Sequence, residues 1–448
     1  MTKKNIILIF LSCLPSLAAF LIYFFFNQET IFSDLGFHYD DKFILSAKQI
    51  LDTGFYSNSF SLPFYPYFLA LIFSIFGFNL FYPIFFNILF HGLTAFMLGN
   101  IIKNFNEKWF YPTIILASFW PHLIWRTSYI YGETIFIFLL VSSLFFLFNY
   151  LNKKKISYLI YSSLFLGISF ITKGSSTFLI FILPFFLFFL FRKKITKNFF
   201  KLFNLVFVYV FLMCFVMSIQ FLRIYKETGY FGYSYQSGNI LYSYIYPCLS
   251  TNFGCGKKDP DAVKKAVDLF EEEKKRLGVN EIENIYYKDL IQKKIAIKLI
   301  KELEFSQIFM SSLGSYLKIF FHNITYDIFE RLNIKSLHLT DFAGNIYIKT
   351  KTMLIQIFKE DRVMIIWLIA QLFLFLSRIV QTFGIVYFFN LKNKIYEFLL
   401  LLIFFIPTIF PVLSLGTIRY RATLEPLLIV LTISGLYFIR NIILKKSN

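Results

Sequence analysis

The residues most able to do chemistry stand together near the start of the chain. The run Asp34-Leu-Gly-Phe-His-Tyr-Asp40-Asp41 carries three carboxylates and His38 directly after a long apolar stretch. A carboxylate at that place could take the proton of a hydroxyl attacking a substrate held at a membrane surface. The plainer account is a solvated acidic loop. His38 could assist the carboxylates, although a histidine beside aspartates is more often an ordinary loop residue. The chain has no Cys-x-x-Cys pair and no His-Glu-x-x-His run, so no metal site is expected.

A fourth carboxylate, Glu133, heads an apolar run. A charge at a membrane boundary is costly and reads as functional, unless it merely favours a helix N-terminus. Arg126, Lys173, Arg419 and Arg421 lie where the loop charges, described next, predict few basic residues. Arginine can grip a phosphate with two parallel hydrogen bonds, and lysine offers a point charge. The alternative for each is a long side chain reaching to the interface.

The elements that carry these residues are built for lipid. Of 448 residues, 57% are hydrophobic and 16% charged, against about 25% charged in soluble domains. Apolar runs of about 16 to 25 residues recur, the length that crosses a hydrocarbon core of about 30 Å. Ten spans are expected, near 6–26, 79–102, 110–125, 129–150, 157–172, 175–191, 202–222, 363–390, 396–415 and 424–440. The first is longer than the core of a signal peptide and is expected to be a retained helix. The stretch 63–78 is short and holds Pro63 and Pro66, so it is expected to be interfacial or re-entrant.

The net charge of +19 would suggest a nucleic-acid partner in a soluble protein. Here the basic residues gather in alternate short loops: Lys3 and Lys4, Lys103 and Lys108, Lys153 to Lys155, Arg192 to Lys201, Lys392 and Lys394, and Arg440 to Lys446. With both termini cytoplasmic, all of these fall on one face. No arginine-rich tail or zinc-finger spacing is present, and no nucleic-acid partner is expected.

The opposite face then receives 27–62, with the acidic run, and 223–362. Within the second, Asp259 to Leu303 has the charge pattern of water-soluble amphipathic helix. Phe305 to Phe321 is apolar enough to lie on the membrane. Cys248 and Cys255 flank a short stretch there, and whether they form a disulfide is open. Cys13 and Cys214 fall in apolar runs.

The acidic run leads into Ala47-Lys-Gln-Ile50 and Gly54, then Pro63-Phe-Tyr65-Pro66 and an apolar segment ending at Phe76-Gly77. That order resembles the GT-C superfamily of polyprenyl-phosphate-sugar-dependent glycosyltransferases, especially bacterial proteins similar to protein O-mannosyltransferases and lipid A aminoarabinose transferases. Downstream, Trp120-Pro121 to Ser128 with Gly132-Glu133 resembles the family's Pro…Ser…Ser-Glu element. Leu166-Gly167 to Thr172-Lys173-Gly174 is similar to its Leu-Gly-x-x-x-Leu-Thr-Lys/Arg motif. Arg223 to Asn239, with Ser237-Gly238-Asn239, resembles a loop after the seventh helix. Arg419-Tyr420-Arg421 with Glu425-Pro426 resembles the Arg-Tyr-Arg…Pro element before the last helix.

The resemblance implies an all-α polytopic fold of about ten transmembrane helices with outer juxtamembrane helices. It implies a GT-C-like module over 1–222 with a catalytic outer loop at 27–62, an extracytoplasmic helical segment at 223–362, and C-terminal transmembrane helices at 363–448. The implied activity is that of a hexosyl- or pentosyltransferase with inversion at the sugar. The donor would be a polyprenyl-phosphate-linked sugar and the acceptor an extracytoplasmic hydroxyl on a lipid, glycan or protein. The implied location is the bacterial cytoplasmic membrane, with the site facing outwards. Spacing to Ala47 favours Asp40 as the base, then Asp41, then Asp34. Glu133 joins them as a catalytic candidate, and Lys173, Arg419, Arg421 and Arg126 are candidate phosphate ligands. Ser61 and Leu62 precede Pro63 where the family often carries a lysine. No cofactor is expected, although some members of the superfamily use a divalent cation. The rival classes are a transporter or flippase for lipid-linked glycans and an oligosaccharide polymerase or ligase.

Overall fold

The computed structural model describes residues 2–26, 41–56, 62–234, 236–251, 258–321, 362–409 and 418–446. These residues are mainly helical, with no strand among them. In chain order the helices are α1 (Lys3–Phe26), α2 (Asp41–Thr53), α3 (Phe64–Phe76), α4 (Phe81–Lys103), α5 (Phe110–Ser118), α6 (Pro121–Thr127), α7 (Glu133–Lys153), α8 (Ile156–Thr172), α9 (Leu179–Lys194) and α10 (Phe199–Thr228). There follow α11 (Ser237–Ile240), a π-helical turn (Leu241–Ile245), α12 (Tyr246–Leu249), α13 (Pro260–Arg276), α14 (Ile285–Glu302), α15 (Phe305–Phe321), α16 (Arg362–Asn390), α17 (Ile395–Phe405), a 3-10 segment (Ile418–Leu424) and α18 (Glu425–Lys446). Among the described residues six helices are long and apolar enough to cross a membrane. The chain is an all-α polytopic membrane protein. Its lipid face is explicit on α10, where Phe203, Phe207, Phe211 and Phe215 form an exposed stacked stripe. Such a stripe is tolerable only in lipid or under a partner.

Eight of the ten expected spans coincide with one helix each, and a ninth, 396–415, matches α17 as far as Phe405, with 410–417 outside the described residues. The exception is 110–125, which is divided into α5 and α6. The division has a local cause. Pro121 disfavours helical geometry at the preceding residue, and Trp120 is extended (φ −71°, ψ 112°). Pro121 then opens α6, where its missing N–H costs nothing.

The bundle has two chemically different ends. At the basic end Lys4 lies over the Tyr111 ring, Phe105 meets Phe388, Trp109 meets Tyr437, and Lys194 pairs with Glu397 at 2.8 Å. The end of α4, the start of α5 and the ends of α16 and α18 therefore lie together. At the other end Phe20 and Phe24 of α1 pack on Phe81, and Glu133 at the head of α7 meets Lys173 just after α8. The helices between are drawn close by small residues, as is usual in lipid. A Cβ added at Gly435 of α18 would lie 1.9 Å from the Val380 carbonyl oxygen of α16.

The segment expected to be water-soluble folds as α13 and α14. They close on the π turn and α12 around Tyr242, Tyr246, Ala266, Phe270, Ile295 and Leu299. Asp289 of α14 accepts the backbone N–H of Asn239 at 2.8 Å and the Ser237 hydroxyl at 3.4 Å. Burial raises its carboxyl pKa, and these hydrogen bonds oppose the shift. The Ser-Gly-Asn motif is thus a docking point for α14, and Gly238 leaves no room there for a side chain. Cys248 is disulfide-bonded, whereas Cys13 and Cys214 are free. Cys255 lies outside the described residues.

Candidate active site

Glu133 opens α7 and is 2% exposed. Its Oε1 accepts from Lys173 Nζ at 3.1 Å. Lys173 stands in the extended link between α8 and a short 3-10 turn, and its ammonium also lies 5.7 Å from the centre of the Phe136 ring. The two residues stand at the two open ends of the α7–α8 hairpin, so their pairing fixes the site end of α7 against that of α8. Tyr65 of α3 is buried beside them, close enough for the Glu133 charge to act on its phenol. The Tyr65 hydroxyl has no hydrogen-bond partner among the described residues.

Aromatic contacts bring α2 to the same place. Phe43 packs edge-on against Tyr65 at 5.1 Å and Tyr131 at 6.4 Å. Phe43 is two residues into α2 from Asp41, so the end of the acidic run arrives beside Gly132–Glu133. Asp34 and Asp40 lie outside the described residues. Asp41 is described as the first residue of α2, and its side chain is outside the description.

The aromatic path continues through Tyr131 to Tyr129, stacked at 5.7 Å, and from Tyr129 to Arg126, whose guanidinium carbon lies 5.3 Å from its ring centre. Arg126 Nε donates to His122 Nε2 at 3.3 Å, and His122 Nδ1 meets Glu425 Oε1 at 2.6 Å. Glu425 also accepts from Arg421 Nε at 2.7 Å and Trp120 Nε1 at 2.5 Å. All five side chains are buried or nearly so. A buried carboxylate needs such compensation from charged and N–H donors. Arg421 Nη1 donates further to the carbonyl of Ile319 at 3.1 Å, and Arg378 Nε to that of Phe320 at 3.1 Å. These cations sit at the C-terminal end of α15, where the helix dipole favours positive charge. Arg419 lies in the 3-10 segment, and its side chain is outside the description.

Two of the expected site residues, Glu133 and Lys173, are thus in direct contact. Arg126 and Arg421 are joined through His122 and Glu425. His122, Trp120 and Arg378 were not singled out by sequence reasoning. The available signal was the i, i+4 spacing of His122 with Arg126 and of Arg421 with Glu425, each an ionisable pair in an apolar setting. Arg223, where the motif begins within the last turns of α10, lies over the Tyr56 ring at 4.5 Å and ties the chain beyond α2 to α10. Among the described residues no cluster of histidine, cysteine or carboxylates could hold a metal.

Fold and site together define a class: a multi-pass helical membrane protein with buried acid–base pairs gathered at one end, beneath juxtamembrane helices. A profile of the dolichyl-phosphate-mannose-protein mannosyltransferase family matches residues 61–218, from the approach to α3 into α10. The match includes Glu133, Arg126 and Lys173, and it supports membership of the GT-C glycosyltransferase superfamily. No curated protein matches the chain.

Proposed function

We propose that the chain takes a sugar from a polyprenyl-phosphate carrier and gives it to a hydroxyl acceptor at the outer face of the bacterial cytoplasmic membrane. The observation that carries this reading is the buried Glu133–Lys173 pair standing where α2, and with it the end of the acidic run, packs on α3 and on Tyr131 just before α7. In the reaction the acceptor oxygen bonds to the anomeric carbon while the bond from that carbon to the carrier phosphate breaks. The acceptor proton passes to an aspartate of the run, Asp40 before Asp41 or Asp34. The bond electrons leave with the polyprenyl phosphate, whose charge needs cationic partners more than a proton. Lys173 supplies one; its ammonium has three N–H donors and can hold Glu133 and a phosphate oxygen together. Arg126 and Arg419 are the further phosphate candidates. Arg421, engaged with Glu425 and the end of α15, serves as a positioning residue.

The disulfide at Cys248 supports an outward site, because disulfides persist in oxidising compartments. The lipid carrier and the glycosyl chemistry agree with the family match. The reading is tested by mass spectrometry of surface glycolipids and glycoproteins from a deletion strain, complemented with wild type or with Asp40→Asn. The expected result is loss of one sugar mass, restored by wild type alone. Rescue by Asp40→Asn moves the base to Asp41 or Asp34, and an unchanged glycan profile counts against glycosyl transfer.

A further inference from the structure

At the basic end, far from the Glu133–Lys173 pair, α1, α4, α7 and the start of α8 enclose a cavity of about 660 Å³. Its mouth is lined by Asn100, Asn104, Asn149 and Asn152 with Lys103 and Lys153, and its floor is apolar, with Ile9 and Phe96 among the lining residues. The amides are tied in place. Asn100 and Asn149 each donate to the carbonyl four residues earlier, and Asn152 donates to the Asn104 side-chain oxygen at 2.5 Å. Each such bond uses one amide hydrogen, so further N–H donors and carbonyl acceptors remain around the mouth. The lysines are loosely held. Lys103 is 3.8 Å from the exposed Glu107, and Lys153 is 3.4 Å from the Tyr158 hydroxyl. Exposed pairs of this kind contribute little to stability.

We infer that this cavity binds an anionic phospholipid with a hydroxyl-bearing headgroup, drawn from the leaflet that the basic end meets. Lys103 and Lys153 face the phosphate, the asparagine amides take the headgroup hydroxyls, and an acyl chain lies over the apolar floor between α1 and α4. The C-terminal ends of α4 and α7 would repel an anion. That repulsion is offset, because the Asn104 amide occupies the late carbonyls of Asn100 and Ile101 in α4 and the last turn of each helix carries a lysine. Basic pockets between transmembrane helices are a recurrent setting for anionic headgroups. A soluble phosphate ester would use the same polar mouth but has no use for the apolar floor, so the lipid is the better fit.

The test is native mass spectrometry of the full chain in mixed nanodiscs holding phosphatidylglycerol and phosphatidylcholine of equal acyl length. The expected result is a retained phosphatidylglycerol, preferred over phosphatidylcholine, with binding weakened roughly tenfold or more by Lys103→Gln with Lys153→Gln. Asn149→Leu should weaken the preference for phosphatidylglycerol over phosphatidic acid, a readout that general charge attraction would not move. Lys197→Gln with Lys201→Gln lies at the same end outside the cavity and should leave binding unchanged. Equal loss in both double variants would reduce the effect to diffuse surface charge and overturn the site. Displacement by soluble glycerol phosphate at the same concentration as lipid would overturn the lipid as occupant. Thermal melting of each variant in phosphatidylcholine alone separates lost binding from lost folding.

Discussion

Lys173 and Glu133 carry two separable expectations, one of stability and one of activity. The Glu133 carboxylate is buried, so removing its lysine should cost about 3–5 kcal/mol. Lys173→Ala is therefore expected to lower the melting temperature in detergent and to reduce kcat/KM for the lipid-linked donor by about 10²–10³, the scale of a lost electrostatic contact to a developing anion. Adding Glu133→Gln removes the buried carboxylate charge. The double variant should recover most of the stability and none of the donor use, a coupling that a double-mutant cycle measures. Recovery of both together would make Lys173 a purely structural partner. Glu425 behaves differently. Its donors are Arg421, His122 and Trp120, and none of these contacts involves the acidic run. Glu425→Gln should cost about 3–5 kcal/mol by removing the carboxylate that pairs with the buried Arg421. Thermal melting is the measurement, and an unchanged midpoint would show that the Glu425 charge is not what holds Arg421.

At the scale of elements, the helices were legible and their meeting points were not. Length and hydropathy located most of the apolar helices because lipid obliges each spanning segment to satisfy its own backbone. The charge pattern likewise announced α13 and α14. The break at Trp120–Pro121 could have been taken from Pro121, yet its consequence could not, because His122 meets a carboxylate 303 residues away. Such pairing is set by how α6 packs on the head of α18, which no local pattern encodes. Glu133 and Lys173 were both picked out, but their contact depends on the two arms of the α7–α8 hairpin reaching the same height. The candidate base lies largely outside the described residues, so that part of the site rests on resemblance. Packing between elements makes its own prediction. Gly435 touches the α16 backbone, where even a methyl group would meet the Val380 carbonyl. Gly435→Ala should force α16 and α18 apart and cost about 1–3 kcal/mol, as overpacking does. The measurement is the melting temperature of the purified chain, and an unaltered value would mean that the two helices slide freely.

The whole molecule is organised by the opposition of its two ends, and that opposition depends on three consecutive crossings by α8, α9 and α10. Of these, α8 and α9 have 17 and 16 residues, about 26 and 24 Å of helix at 1.5 Å per residue. Both fall short of a hydrocarbon core of about 30 Å. The structure nevertheless carries the chain from the basic end at Ile156 to Lys173 beside Glu133, so α8 covers the same height as the longer α7. The thin span is completed by the extended link after it and by charged residues at both margins. An odd number of crossings puts the α7–α8 turn and the α13–α14 turn in different compartments. Single cysteines at Lys155 and at Asn280, with Cys13 and Cys214 replaced by serine, provide the test. A membrane-impermeant maleimide should label Asn280→Cys in intact cells and Lys155→Cys only after permeabilisation. The reverse pattern would invert the molecule, moving the Glu133–Lys173 site to the cytoplasm and removing the oxidising surroundings that the Cys248 disulfide calls for. Labelling of both from outside would mean that one of the two short helices does not cross, and the acidic run and Lys173 could then no longer be assigned to a single face by charge alone.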